Sequence, residues 1–464
     1  MSLLSSLDLQ ESGDLMNFNT GSLFDLPSGR YVPGIDGNWY LNGGLAPHVN
    51  AVVGPNGAFK STTACSFVMR SASIYKSSDV LIHDTENSLD KDKSRAYHMA
   101  EELYSPDIES RTRWIKGIDY TLGRAKDKKL ETYDIYDVVK QICDLKETHR
   151  KDMIVETPFI DPKTNGPLKM WIPTYFFIDS LTELVTAIEE DALNGANTNF
   201  SDTNTVAMAD GNKKTLFIHA MRKMCQKYGI VFVVTGHYDK VVQMDMYNPT
   251  PKETTFALRD YKTKGCGSKL KFLSSLYART QAALLLDSAK EPLYACGTGG
   301  GSRDVMEVGI TLERCKTANA GEVTPFVETQ SEGLLNAVTN YHYLRIHDYY
   351  ALNGNKQKQQ VFLLPDVTIS RNTIRQIASA DAKLRRALEI AAQYCYIRNN
   401  WNVKDYPVRF DIEPQALFDK LNSDKNKNVI NDILTSRGYW TFKGESDIPY
   451  MDLFRVLELA GATK

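Results

Sequence analysis

Residues 52–64 read VVGPNGAFKSTTA. Gly54 opens and Lys60-Ser61 closes a pattern close to G-x-x-x-x-G-K-[ST], a glycine-rich loop whose backbone cradles phosphates. The position before the lysine carries Phe59 where glycine is usual. In such a loop, N–H groups at a helix N-terminus bind phosphate oxygens. The lysine neutralises the terminal phosphates and the next hydroxyl binds Mg²⁺. The pattern assigns Lys60 to phosphate and Ser61 to the metal, with Gly54 and Gly57 allowing the tight turns.

Three more segments end apolar runs in polar residues. In SDVLIHDTENSLD, Val80–Ile82 leads to Asp84 and Glu86, which share one face if the strand continues. A carboxylate there can orient an attacking water. In TYFFIDSLTEL, Tyr175–Ile178 leads to Asp179, the pattern of a buried parallel strand ending in an Mg²⁺-associated acid. GIVFVVTGHYDK ends at Thr235-Gly236-His237. In an open α/β sheet, ligands sit beyond such strand ends, so His237 is placed to sense a terminal phosphate.

The elements that position these residues follow from the same patterns. HVNAVVG predicts a strand into Gly54, and STTACSFVMRSASIY a helix from Ser61. TQAALLLD and VMEVGITLERCK add two strands. Strands alternating with helices predict an α/β fold with a mostly parallel sheet and right-handed crossovers. At 464 residues and 42% hydrophobic, the chain can build one large domain with an appendage, or two to three domains. A formal net charge of -2 excludes a wholly basic nucleic-acid binder but not a local basic groove. No apolar run reaches the roughly 18 residues of a membrane helix. Asp8, Glu11 and Asp14 precede the first basic residue, Arg30, unlike a secretion signal. The seven cysteines are scattered, with no C-x-x-C pair. Free thiols and a cytoplasmic location are expected, without a disulfide frame or zinc site.

The order of these pieces resembles the RecA family of recombinases, and among its branches the phage UvsX recombinases. The likeness rests on Phe59-Lys60-Ser61 closing the loop, Asp84-Thr85-Glu86 after the next strand, Ile178-Asp179-Ser180, Ala220–Lys223 in AMRK, and His237 in the place of a glutamine switch. VPGIDGNWYLNGGLAPH upstream resembles the family's approach to its core. The resemblance covers about residues 30–335. It implies a RecA-like P-loop NTPase core, ATP and Mg²⁺ as cofactors, and ATP hydrolysis dependent on DNA. Gly54, Pro55, Asn56, Gly57, Ala58, Phe59, Lys60, Ser61 and Thr62 would hold the nucleotide. Ser61 and Asp179 would hold the metal, and Glu86 would be the catalytic base. ITLERCKTANAG places Arg314 and Lys316 two apart. The resemblance implies that they reach a neighbouring subunit's γ-phosphate, with His237 reporting nucleotide state. Host-cell cytoplasm, or a viral replication compartment within it, is the implied location.

The resemblance further implies helical filaments on single-stranded DNA, pairing with double-stranded DNA, and single-strand-binding and loader proteins as further partners. Two loops would hold DNA, about 192–213 and 238–268. Residues 240–272 carry seven basic and three acidic residues, a local +4. Basic side chains bind phosphate and aromatics stack on bases, which selects Lys252, Phe256, Arg259, Tyr261, Lys262 and Lys264. Residues 1–30 read as a short protomer-docking segment in which Phe24 is either the anchor or an intramolecular staple. Residues 31–335 read as the core, with an insertion at about 125–172 that turns as a hairpin at Asn165-Gly166. That insertion contributes to the 93-residue separation of Glu86 from Asp179. Tyr97 is a candidate to stack adenine, with Lys93 where an aromatic is first sought. Residues 336–464 read as an α+β accessory domain: one helix capped by Ser370, two short helices, Gly438 as a stop, then a strand. Trp401 and Trp440 read as core. Two other readings stand beside the recombinase. One is a hexameric helicase, disfavoured by Phe59-Lys60-Ser61 and by the Arg314/Lys316 pairing. The other is a non-motor, ATP-gated protein that binds a partner.

Overall fold

A computed structural model describes residues 16–86, 89, 107–123, 133–193, 203–240, 261–266, 269–288, 290–294, 305–423 and 428–464. Its strands are β1 Arg30–Pro33, β2 Trp39–Asn42, β3 Val49–Gly54, β4 Asp79–Asp84, β5 Thr112–Lys116, β6 Tyr120–Thr121, β7 Tyr133–Asp134, β8 Ile154–Ile160, β9 Pro167–Trp171, β10 Thr174–Asp179, β11 Ile230–Lys240, β12 Tyr261–Thr263, β13 Leu276–Leu284, β14 Met306–Cys315, β15 Val323–Thr329, β16 Gly333–Leu334, β17 Leu352–Gly354, β18 Gln359–Val361 and β19 Leu364–Ile369. The principal helices are α1 Lys60–Ile74, α2 Ile135–Thr148, α3 Thr203–Tyr228, α4 Lys269–Leu273, α5 Asn336–Ile346, α6 Ile374–Ala380 and α7 Ala382–Asn400.

The central sheet runs β16-β15-β14-β13-β3-β11-β10-β4-β5, with β12 paired to β11. From β13 to β5 every pairing is parallel. β14, β15 and β16 extend the other edge antiparallel. The fold is therefore mixed α/β around a large, mostly parallel sheet. β3, β10 and the first half of β11 are buried along their length and largely apolar, Asn50 excepted in β3, because both faces are covered. Side chains alternate between the two layers. Val52 joins the core with α1, whereas Val49, Ala51 and Val53 join the core with α3. All five parallel strands from β3 to β4 and β13 thus present one end, with Gly54, Asp84, Asp179 and His237, on the same edge of the sheet.

The insertion forms α2 and the antiparallel hairpin β8–β9. Asn165 takes φ 52 at its turn. The hairpin leans on the turn between β1 and β2, where the Ile35 N–H donates to Pro158 O at 2.9 Å. Phe24 is the intramolecular staple: it is fully buried and stacks on Phe67 with centroids 4.2 Å apart. Residues 1–15 of the N-terminal segment lie outside the described residues.

Four expectations change. Residues 203–213, read as loop, are the first turns of α3, and 194–202 lie outside the described residues. The glycine at 211 lies inside the helix where the chain passes close: a Cβ there would meet Gly265 O at 2.9 Å. The predicted loop 238–268 begins and ends as sheet, since β11 continues to Lys240 and pairs with β12. The single helix from Ser370 is two, α6 and α7. Asp381 breaks it, and its side chain accepts the Lys383 and Leu384 N–H groups. No strand follows Gly438 among the described residues. Trp440 instead enters the core beside Phe18, Tyr75 and Phe442, and its Nε1–H donates to Asn17 O. Residues 336–464 combine helices with the antiparallel sheet β17–β19, and their apolar side chains run continuously into the α1 core.

Candidate functional site: a phosphate loop with converging carboxylates

β3 delivers Gly54 to the sheet edge under close packing: a Cβ there would lie 2.7 Å from Thr280 O. Gly57 turns the loop with φ +74. Phe59 then takes φ 60, ψ 20 at the N-cap of α1 and packs partly buried against the core. A left-handed bulky residue is uncommon and marks a site that demands this backbone. Glycine would adopt it without strain, which is the physical sense of the usual residue. The Lys60 Nζ donates to Pro55 O at 2.8 Å, folding across the loop. Burial holds its pKa below the ordinary lysine range, opposed by Glu86 and Asp179.

Asp179 ends β10 and is 1% exposed. Its Oδ1 accepts Ser61 Oγ–H at 2.9 Å and also the Thr235 hydroxyl. Its Oδ2 is buried without a hydrogen-bond partner among the described residues. Burial, with the nearby Glu86 and Asp84 charges, pushes Asp179 up to about 6 despite the two hydroxyl donors. The peptide between Asp179 and Ser180 is cis. The Thr85 N–H donates to Asp179 O at 2.7 Å and the Ser180 N–H to Thr85 Oγ1 at 2.7 Å. These bonds stitch the ends of β4 and β10 together and place Glu86.

The Glu86 Oε1 lies 3.0 Å from His237 Nε2. That bond lowers the Glu86 pKa, helped by Ser180 and by the Lys60 cation against partial burial. His237 stands opposite Gly54 in the β11–β3 register, and its N–H donates to Thr182 Oγ1 at 3.1 Å. Asp84 and Glu86 do not share a strand face. β4 stops at Asp84, whose carboxylate turns back to accept the Glu86 and Leu89 N–H groups. Asp84 is thus a turn-former, and Glu86 the outward carboxylate.

The structure brings Lys60, Ser61, Asp179, Glu86 and His237 together and separates Arg314 and Lys316 from them. Cys315 pairs with Leu276 and Leu276 with Asn50, four residues before Gly54. At about 3.3 Å per residue, the basic pair lies roughly 13 Å down the sheet. It meets two groups that the sequence reading did not assign. Lys316 Nζ lies 3.4 Å from His48 Nε2. Arg222 of α3 and Arg314 both depress the Lys316 pKa, after burial as the first cause. Burial and these three cations push His48 down to about 3. Among the described residues none of the three cations forms an ion pair with a carboxylate, and the buried Arg314 Nε has no hydrogen-bond partner. Arg222 stands within AMRK, where the sequence gives it no role; the packing of α3 beneath β3 brings it beside Lys316.

Lys252, Phe256 and Arg259 lie outside the described residues, as do Lys93 and Tyr97. Tyr261 and Lys262 are exposed on β12. The Lys264 N–H donates to His237 O at 2.8 Å, and its Nζ lies 3.8 Å from Glu183. Lys271, counted in the basic run, is buried against Glu313 and is not presented to solvent.

Among the described residues no group of three or more His, Cys, Asp or Glu could cage a metal alone. A divalent cation at Asp179 must therefore draw ligands from hydroxyls, water or a bound phosphate. The open Oδ2 and the Ser61 hydroxyl suit such a hard cation. No described helix is long and apolar enough to cross a membrane. No protein-family model and no curated protein matches the chain.

Proposed function

We propose that the chain is an ATP-dependent DNA recombinase with a RecA-like core, which assembles as a filament on single-stranded DNA and hydrolyses ATP between adjacent copies. The observation that carries the reading is the arrangement of charge. A phosphate loop, a metal-type aspartate and a Glu86–His237 pair converge at one edge of the sheet. Near the opposite edge, Arg222, Arg314 and Lys316 gather without a carboxylate partner among the described residues. Uncompensated cations at a partly buried site are costly unless an anion meets them. Head-to-tail stacking supplies one, because the loop end of one copy then faces the cation end of the next.

ATP would be held by the backbone of Gly54–Lys60 and by the Lys60 ammonium, which leaves Pro55 O for phosphate. Mg²⁺ would sit on Ser61 Oγ and Asp179 Oδ2, and when bound it supplies neutralisation of the developing phosphate charge. Glu86, held ionised by its neighbours, accepts a proton from the attacking water. Arg314 and Lys316 of the adjacent copy stabilise charge on the leaving phosphates. His237 exchanges Glu86 for phosphate, and its strand runs directly into the β11–β12 ladder flanking residues 241–260. Nucleotide state thereby reaches the segment assigned to DNA, with ATP favouring the DNA-holding form through its differential contacts.

Electron microscopy of the purified chain on long single-stranded DNA tests this, with Mg²⁺ and a slowly hydrolysed ATP analogue and again without nucleotide. Nucleotide-dependent helical filaments are expected. Closed rings would favour the helicase, and monomers beside bare DNA the ATP-gated partner-binding protein.

A further inference from the structure

β13 and β14 pair with Tyr277 opposite Arg314 and Ala278 opposite Leu312. Glu313 therefore has no residue across from it and forms a β-bulge, the kind of irregularity that re-aims neighbouring side chains. Its side chain is 3% exposed. Oε1 accepts the Arg279 Nε–H at 2.8 Å, and Oε2 accepts a Lys271 Nζ proton at 3.1 Å. The Tyr238 hydroxyl approaches Oε1 at 3.4 Å. A carboxylate this deeply buried persists only when paired, so two cations pin the bulge in one position.

Two ties lead from that point to the strand of His237. One is Tyr238 itself, the next residue along β11. The other runs through Thr263, which pairs with Tyr238 on β12 and whose Oγ1 lies 2.5 Å from the Tyr277 hydroxyl. Tyr277 in turn pairs with Arg314. A buried ion pair serving stability alone has no reason to sit at the one bulge preceding Arg314. The Glu313 carboxylate also meets Tyr238, next to His237 on β11, while Tyr277, opposite Arg314, meets Thr263 of β12.

We propose that Glu313 is a positioning residue. It sets the direction of Arg314 and Lys316 toward the neighbouring copy's nucleotide and ties them to the β11–β12 ladder of its own copy. Each copy would then report the nucleotide at its cation face to the strand that reads its own phosphate loop, linking successive sites. This rests on the intersubunit ATP site proposed above.

Mixing of defective copies tests it. Glu313→Gln keeps size and one acceptor, while Lys60→Ala disables the phosphate loop. DNA-stimulated ATP turnover is measured for each variant and for an equimolar mixture. Each alone is expected at least tenfold below the unaltered chain, a loss typical of one displaced charge stabiliser. The mixture is expected to recover toward roughly a quarter of full activity, since that share of random head-to-tail junctions joins an intact loop to an intact cation face. E313Q should bind ATP at its own loop with unchanged affinity. Should E313Q not fold, Tyr238→Phe, which removes one hydroxyl, goes through the same mixing. Full turnover by E313Q beside a crippled Arg314→Ala overturns the positioning role alone. A mixture no more active than its parts also overturns it, because Glu313 then acts within its own copy. An unaltered chain without ATPase activity, or a fully active Arg314→Ala, removes the intersubunit site and the inference with it.

Discussion

The Ser61 hydroxyl donates to Asp179 Oδ1 at 2.9 Å across 118 residues of chain, leaving Oδ2 as a buried acceptor with no donor among the described residues. This is the pair proposed above to hold Mg²⁺, with Oδ2 as its open acceptor. Asp179→Asn should lower Mg²⁺-dependent ATP turnover by about 10²–10³-fold. Because Asp179 is raised to about 6 by burial, it is largely protonated below that pH and must release the proton when metal binds. Binding of Mg²⁺ with ATP should therefore strengthen from pH 5 to 7. Calorimetry in two buffers of different ionisation enthalpy should detect proton release at pH 5.5 that Asp179→Asn lacks.

Glu86 should be needed for turnover and dispensable for binding. Its carboxylate is partly exposed and bonded to His237 rather than to the loop backbone. Glu86→Gln keeps the hydrogen bond and removes the base, so turnover should fall about 10²–10⁴-fold. ATP affinity should stay within a few-fold, measured by a fluorescent nucleotide. Normal hydrolysis by this variant sinks the base assignment.

That Gly54, Asp179 and His237 lie together was legible because each ends a local apolar run, and a parallel sheet gathers strand ends at one edge. The position of Arg222 beside Lys316 and the bulge at Glu313 were not. The first depends on how α3 lies beneath β3, and the second on a register shift between two strands, neither of which leaves a local pattern. Helix α3 shows the opposite failure. A polar, glycine-bearing stretch reads as loop, but Gly211 is there to make room for the Gly265 carbonyl within a helix rather than to break it. At Asp381 a side-chain cap stops what periodicity alone reads as one long helix.

Glu328 should make the unliganded chain sensitive to alkaline pH. It is fully buried on β15 and accepts the Thr63 hydroxyl at 2.9 Å, one helical position beyond Thr62, the last residue proposed to hold nucleotide. Burial raises it to about 8 against that bond. Folding thus tightens proton binding. The stability linked to it is complete below the ordinary glutamate range and is lost as pH rises through about 8. The loss at full ionisation is on the order of a few kcal/mol. Denaturant midpoints of the unaltered chain should drop between pH 7 and 9, whereas those of Glu328→Gln should stay level.

Phe59 poses two opposing effects whose balance can be measured. Its left-handed backbone costs about 1 kcal/mol relative to glycine. Its ring, packed partly buried against the core, returns about 1–2 kcal/mol. Phe59→Gly should therefore leave the melting temperature within a few degrees, because neither term dominates. ATP affinity should hold as well, since the phosphate cradle is made of backbone N–H groups that glycine presents equally well. Phe59→Val is the informative contrast. A β-branched residue at positive φ meets a steric penalty without the ring's contacts. It should melt several degrees lower and bind ATP more weakly, because the loop must distort to admit it. If valine were tolerated as well as glycine, the loop would not depend on the left-handed turn from which the proposed phosphate cradle is built.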